Sequence, residues 1–478
     1  MIVALVTIPT LVRALGLDRF GVLSLAWIVI GYFSLFDLGI GRALTKLVAD
    51  KLAAHEEHSI PPLAWTGLLL MLLLGGVGGL ATLAISPWLV RGALKIPAAL
   101  QLETQRSFFL LALSIPLVTL ASGLRGILEA QQRFRVLNLI RVPMSIFSFA
   151  APLLVLPFSH GLFPVIGVLM LGRLIGCAVH VLACLHSMPA LRHNFSINLS
   201  LVIPLVKFGG WLTIANIIGL FMLYMDRFLI GVLLSVGAIT YYTVPFDMVN
   251  RLTLIPVAVA GVLFPAFAAS LVQDPNRAGL LLSRGLKYVC MVVFPIVLAV
   301  IAFAPETLLL WLGPAFSQNG SAVLRWIAAG VFILSLATIP FALIQSAGRP
   351  DITAKLQLAE LPVYLAVLWL LTKRFGIEGT AITWVGRLAL DSVLLFFYAH
   401  RLLPQKRQFL ATLGVAVPVA LLSFYLISAT GSLILRAIFF TVGCLVFALA
   451  GWRWGLDSGE RIFLLRTPKG VLGKVLAN

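Results

Sequence analysis

GVLMLGRLIGCAVH (167–180) and GTAITWVGRLALDSV (379–393) decide how this chain folds. Each is a long apolar run broken by one arginine, Arg173 or Arg387, placed directly after a glycine. Neither run alternates apolar and polar residues, as the ten-residue strands of a transmembrane barrel do. Outward from both, apolar stretches near or above twenty residues recur, long enough to cross a hydrocarbon core of about 30 Å. Of the 478 residues, 61% are hydrophobic and 11% charged. A soluble domain carries about 25% charged residues, so a soluble chain of this composition lacks the polar surface to cover itself. The sequence therefore predicts an all-α polytopic membrane protein with about fourteen transmembrane helices.

The formal net charge is +18. In a soluble protein that excess points to nucleic acid; here loop lysines and arginines on the cytoplasmic side account for it, and no nucleic-acid partner is expected. With the N-terminus inside, twenty-two basic residues fall in inner loops and the tail, nine in outer loops and four within spans. That bias places both termini in the cytoplasm. The four cysteines lie in apolar segments without metal-ligand spacing and read as small core residues. The opening MIVALVTIPTLVRALG has no basic region ahead of its apolar run and does not read as a cleavable signal peptide; its run is short for a span, as of a tilted helix or a chain beginning downstream of the true start.

A repeat runs through the chain at an offset near 215. RFGVLSLA (19–26) matches SVGAITYY (235–242), LEAQQRF (128–134) stands where IQSAGRP (344–350) does, and Gly161 to Arg173 parallels Gly376 to Arg387. Two six-helix bundles of the same orientation follow, related by an axis along the membrane normal, with two further C-terminal helices. The expected divisions are a first bundle at 1–186, a cytoplasmic linker at 187–202, a second bundle at 203–400, two extra helices at 401–454 and a basic tail at 455–478 lying on the anionic inner leaflet.

Charges inside spans mark function, because an arginine at mid-bilayer costs about 2.5–3.5 kcal/mol on insertion scales. The in-span cations are Arg173, Arg227, Arg251 and Arg387, and the in-span acids are Asp37, Asp226, Asp247, Glu360 and Asp391. Asp247 with Arg251, and Arg387 with Asp391, are spaced i,i+4 and can pair on one helix face. Asp226 and Arg227 are adjacent, which turns them to different faces and disfavours direct pairing. Arg173 has Cys177 where Arg387 has Asp391, so it lacks a partner on its own helix. Two readings stay open: an ion pair to Asp37 or Glu360 on another helix, or an anion site facing a cavity, since a planar guanidinium binds two phosphate oxygens at once. The four in-span arginines are the candidate substrate-binding residues. Asp37, Asp247, Asp226 and Asp391 are the candidate coupling groups for a proton or Na⁺, against a plainer reading as paired or helix-terminal carboxylates.

No phosphate-binding G-x-x-x-x-G-K-[ST] is present, so no ATP-driven engine is expected. Neither cofactor nor metal is expected; His55 and His58 read as a solvated loop. The longest outer loop, about residues 90–106, carries Glu103 as its only acid, too little for a catalytic domain.

LVRALGLDRFGVLSLAWIVIGYFSLFDLGIGRALTKLVAD (11–50) resembles the opening of bacterial polysaccharide flippases of the O-antigen type, within the multidrug/oligosaccharidyl-lipid/polysaccharide exporter superfamily. The matching residues are Leu15, Gly16, Phe20, Gly21, Asp37, Leu38 and Gly39; EAQQRF (129–134) and GIEGTAITWVGR (376–387) resemble the family's loop-to-helix junctions. The likeness covers about the first 400 residues. It implies a non-enzymatic, monomeric protein of the bacterial inner membrane. Such a protein moves undecaprenyl-diphosphate-linked oligosaccharides between leaflets by ion-coupled alternating access, among membrane lipids. The alternatives are a lipid II flippase, a drug/cation antiporter of the same superfamily, and a membrane glycosyl polymerase or ligase.

Overall fold

The computed structural model describes residues 2–32, 39–403, 424, 430 and 432–450. Among them every regular element is helical: α1 Ile2–Leu15, α2 Leu17–Tyr32, α3 Ile40–Ala53, α4 Ile60–Trp88, α5 Ala98–Ala130, α6 Phe134–Val155, α7 Leu162–Ser187 and the short α8 Ala190–His193. There follow α9 Val202–Leu233, α10 Val236–Asn250, α11 Leu254–Gln273, α12 Pro275–Ala302, α13 Ala304–Leu312, α14 Pro314–Ser346, α15 Pro350–Leu402 and α16 Leu433–Ala450. Eight of the described helical stretches are long and apolar enough to cross a membrane. The chain is a multi-pass, all-α membrane protein.

Helix boundaries repeat along the chain. The starts at Ile60, Ala98 and Phe134 recur at Pro275, Pro314 and Pro350, displaced by 215 or 216 positions. The turns between them match as well. After α5, Gln132 takes φ 58° and the Arg133 N–H donates to the Leu128 carbonyl at 3.0 Å. After α14, Gly348 takes φ 71° and the Arg349 N–H donates to the Ile344 carbonyl at 3.2 Å. Both are left-handed C-caps closed by the same six-residue hydrogen bond, so AQQRF and SAGRP are one turn written twice. Gly376, at φ 63°, kinks α15 where Phe375 and Ile377 would otherwise continue one helix; only glycine adopts that conformation freely.

The chain forms two compact units. The first comprises Met1–Val244 with Leu365–Thr380, and the second Pro245–Tyr364 with Ala381–Asn478. In the first, α4, α5 and α7 pack side by side. Because lipid tails are as apolar as leucine, close backbone approach carries helix association in a bilayer. Gly75 and Gly79 supply it: a Cβ on Gly75 would lie 2.8 Å from the Pro116 Cα, and one on Gly79 would lie 2.9 Å from the Ala112 carbonyl oxygen. Thr119 donates to the Met71 carbonyl across the same contact at 3.0 Å.

Two segments whose charges give them the composition of loops are helical. Residues 40–53 form α3, whose Ile40, Ala43, Leu44 and Val48 are fully buried in the first unit's core. Those positions follow helical spacing; their basic neighbours mask it in composition. Residues 98–106 belong to α5, and Glu103 there is a clasp. It accepts from Arg19 Nε and Nη2 at 3.1–3.3 Å and from the Leu162 N–H, fastening the beginnings of α2, α5 and α7 together.

In the second unit α14 packs against α11, α12 and α13, and α16 packs on α12. Phe294 of α12 stacks on Phe447 of α16, centroids 4.1 Å apart. Arg436 of α16, 5% exposed, donates to Glu306 at 2.7 and 3.0 Å and to the Ala302 carbonyl at 2.9 Å, so it closes the C-terminus of α12.

Candidate functional site

Arg173 lies near the middle of α7, a twenty-six-residue helix. Glycine on either side of it thins that face: a Cβ on Gly172 would collide with the Phe147 ring, and one on Gly176 would sit 3.1 Å from the Met144 sulfur. Helix α6 therefore comes close without covering the arginine. A cavity of about 210 Å³ opens between α5, α6 and α7, lined by Arg173, Arg125, His180, Ser122 and Ser148 together with apolar Leu117, Met144, Phe147 and Leu169. Arg173 is half-buried there, and among the described residues it makes no hydrogen bond, ion pair or ring contact. His180 donates from Nδ1 to the Gly176 carbonyl at 2.7 Å, which leaves Nε2 as its other polar atom. The arrangement is an apolar cleft with two guanidinium groups and two hydroxyls on its wall, suited to a ligand that is part anion and part hydrocarbon.

Of the two partners expected for Arg173, Asp37 lies outside the described residues. Glu360 has neither carboxylate oxygen hydrogen-bonded among them.

Arg227 behaves differently from the sequence expectation. Adjacent residues on a helix diverge by about 100°, yet the guanidinium folds back along its neighbour. Nη1 stands 3.0 Å from Asp226 Oδ1 and 3.3 Å from Oδ2, and the Arg227 N–H donates to Oδ1 at 2.8 Å. Tyr242 of α10 donates to Asp226 Oδ2 at 2.7 Å. The rings of Tyr224 and Tyr242 flank the guanidinium at 5.4 and 5.7 Å. Asp226 is 0% and Arg227 2% exposed, a closed pair in the first unit. The length of the arginine side chain overcomes the divergence of the helix positions.

The remaining in-span charges lie in the second unit. Arg387 sets its guanidinium carbon 5.3 Å from the Tyr364 ring centre. Asp391 follows one turn later, and both stand within electrostatic reach of Glu360. Asp247 and Arg251 are separated by a change of helix type: α10 ends at Asn250, and Arg251 opens a single 3-10 turn through Thr253.

Three residues at these places carry little signal in the sequence. By its place at the end of an apolar run Arg125 counts among the inner-loop cations, yet it sits four residues, one helical turn, past Ala121 of the cavity wall. His180, one turn beyond Gly176, joins Arg173 on the same wall. Glu360 stands out in the sequence only as an in-span acid and a possible partner for Arg173.

Comparison with known proteins agrees with the fold. The family model described as "Polysaccharide biosynthesis protein" matches residues 10–319. A Shigella flexneri protein named "Putative O-antigen transporter" is 28% identical over 394 residues, covering 82% of this chain and 93% of its own. Among solved structures, an inward-facing MATE-family multidrug resistance transporter of the MOP superfamily superposes with TM-score 0.70 at 14% identity, over 83% of this chain and 94% of that one. The lipid II flippase MurJ, in an inward closed conformation, superposes with TM-score 0.65 at 13% identity, over 93% and 98%. At those identities the structures speak to fold alone, and they share the arrangement of helices seen here. With the family model spanning well over half its length, the chain belongs to the polysaccharide biosynthesis protein family.

Proposed function

We propose that the chain is a flippase that carries an undecaprenyl-diphosphate-linked oligosaccharide from the cytoplasmic to the periplasmic leaflet of the bacterial inner membrane. It acts as a monomer with both termini cytoplasmic, by ion-coupled alternating access, and it transports rather than catalyses. Family membership, the O-antigen transporter relative and the flippase fold support this reading.

The observation that carries it is the guanidinium of Arg173, without a partner among the described residues, in a cleft that also holds Arg125 and apolar side chains. A guanidinium left without a carboxylate in an apolar span is costly. A diphosphate offsets that cost whenever it lies alongside, through paired charge-assisted hydrogen bonds. The apolar wall accepts the first isoprene units, and Ser122 and Ser148 present hydroxyls to phosphate or sugar. Asp226 and Arg227 neutralise each other, so the substrate's charge falls to Arg173 and Arg125.

Deletion of the gene with leaflet-resolved analysis of polyprenyl-linked sugars tests the proposal. The expected result is accumulation of a diphosphate-linked oligosaccharide on the cytoplasmic leaflet, relieved by the wild-type gene. Unchanged leaflet distribution of every lipid-linked sugar would refute it.

A further inference from the structure

We infer that Glu360 is an exchangeable proton site, paired in function with Arg387 and Asp391; the inference deepens the transport reading above and names its coupling group. Glu360 is 5% exposed, and both of its carboxylate oxygens lack a hydrogen-bond partner among the described residues. Buried carboxylates are otherwise hydrogen-bonded or paired. One in an apolar span has two affordable forms, the neutral acid or a carboxylate with a cation beside it.

The surroundings select between these forms. The charged groups acting on Glu360 are Arg387 and Asp391, from the half of α15 beyond the kink. Helix α14 meets the first half of α15 with apolar Ala337, Phe341 and Ile344. The segment bearing Asp247 and Arg251 reaches the same neighbourhood through Phe246, whose ring centre is 5.1 Å from that of Trp384. Arg387 and Asp391 carry opposite charges. A proton on Glu360 leaves the three groups neutral together; Na⁺ would balance the charge equally but needs a shell of several oxygen ligands, and among the described residues no group of three or more metal-ligating side chains gathers. Binding forms one O–H bond on a Glu360 oxygen and release breaks it; water on one side of the membrane supplies the proton and water on the other receives it.

The test uses full-length protein in proteoliposomes and infrared difference spectra between mildly acid and alkaline buffer. Wild type should show the carbonyl band of a buried carboxylic acid that disappears on the alkaline side. Glu360→Gln should lack that band, and Asp391→Asn, which leaves Arg387 free to hold a Glu360 carboxylate, should weaken it. Glu360→Asp should move it, which reads the same group should the glutamine variant not fold. Coincident spectra of wild type and Glu360→Gln would overturn the inference. A second arm follows flipping of a short-chain polyprenyl-diphosphate sugar under an imposed pH gradient. The stimulation by the gradient should fall at least tenfold in Glu360→Gln, and full stimulation in that variant would overturn the inference. Absence of flipping by wild type would count against the transport reading, while the spectra still decide the proton site.

Discussion

Arg227 and Asp226 are neighbours in sequence and partners in space, their side chains 3.0 Å apart in a fully buried pair. Removing one member of such a pair strands the other charge. Asp226→Ala should therefore lower stability by about 3–5 kcal/mol. Tyr242→Phe removes one donor to the same carboxylate and should cost about 1–3 kcal/mol. Thermal unfolding of the detergent-solubilised protein checks both, and the order of the two losses is the prediction.

Glu103 joins three helix beginnings through Arg19 and the Leu162 N–H. Its exposure is 21%, so solvent screens part of the ion pair. Glu103→Ala should cost about 1–3 kcal/mol, mostly through the backbone donor left without an acceptor. Hydrogen exchange should speed at the start of α7 and stay unchanged at its end.

Arg436 ties α16 to the end of α12 and to Glu306. Arg436→Met keeps the apolar stem and removes three hydrogen bonds. Limited proteolysis should then cut within residues 432–450 faster than in wild type, while the fragment holding residues 60–187 keeps its protection.

Gly75 and Gly76 are adjacent glycines with opposite surroundings. A Cβ on Gly75 meets the backbone of α5, and one on Gly76 meets nothing within 4 Å. Gly75→Ala should destabilise by about 1–3 kcal/mol through overpacking. Gly76→Ala should be neutral or raise stability by up to about 1 kcal/mol, because alanine favours helix over glycine. Thermal midpoints of the two variants compared with wild type test the contact.

Apolar runs and the 215-residue offset made the helical fold legible, because both depend on local hydropathy and spacing. The in-span acids and arginines were legible for the same reason: each stands out, alone or with one opposite charge, against an apolar run. Their pairing was less legible. The Asp226–Arg227 pair depends on side-chain length and on Tyr242 arriving from another helix, and neither is periodic in sequence. Helix α3 was obscured because Arg42, Lys46 and Lys51 dominate its composition while Ile40, Leu44 and Val48 make its buried stripe. Arg125 stood at the end of an apolar run, where a loop cation and a cavity cation look alike. Its place beside Arg173 follows from the packing of α5 on α7, a contact between residues far apart in the chain.

Transport as proposed requires Arg173 to meet an anion. The direct test is the affinity of nanodisc-embedded protein for a short-chain polyprenyl-diphosphate sugar, compared between wild type and Arg173→Ala, with thermal midpoints recorded on the same samples. A hydrogen-bonded charge contact is worth about 1.5–3 kcal/mol, so affinity should fall by about ten- to a hundredfold with the midpoint unchanged. Equal affinity in the two proteins, or an affinity loss that only tracks unfolding, would contradict the account.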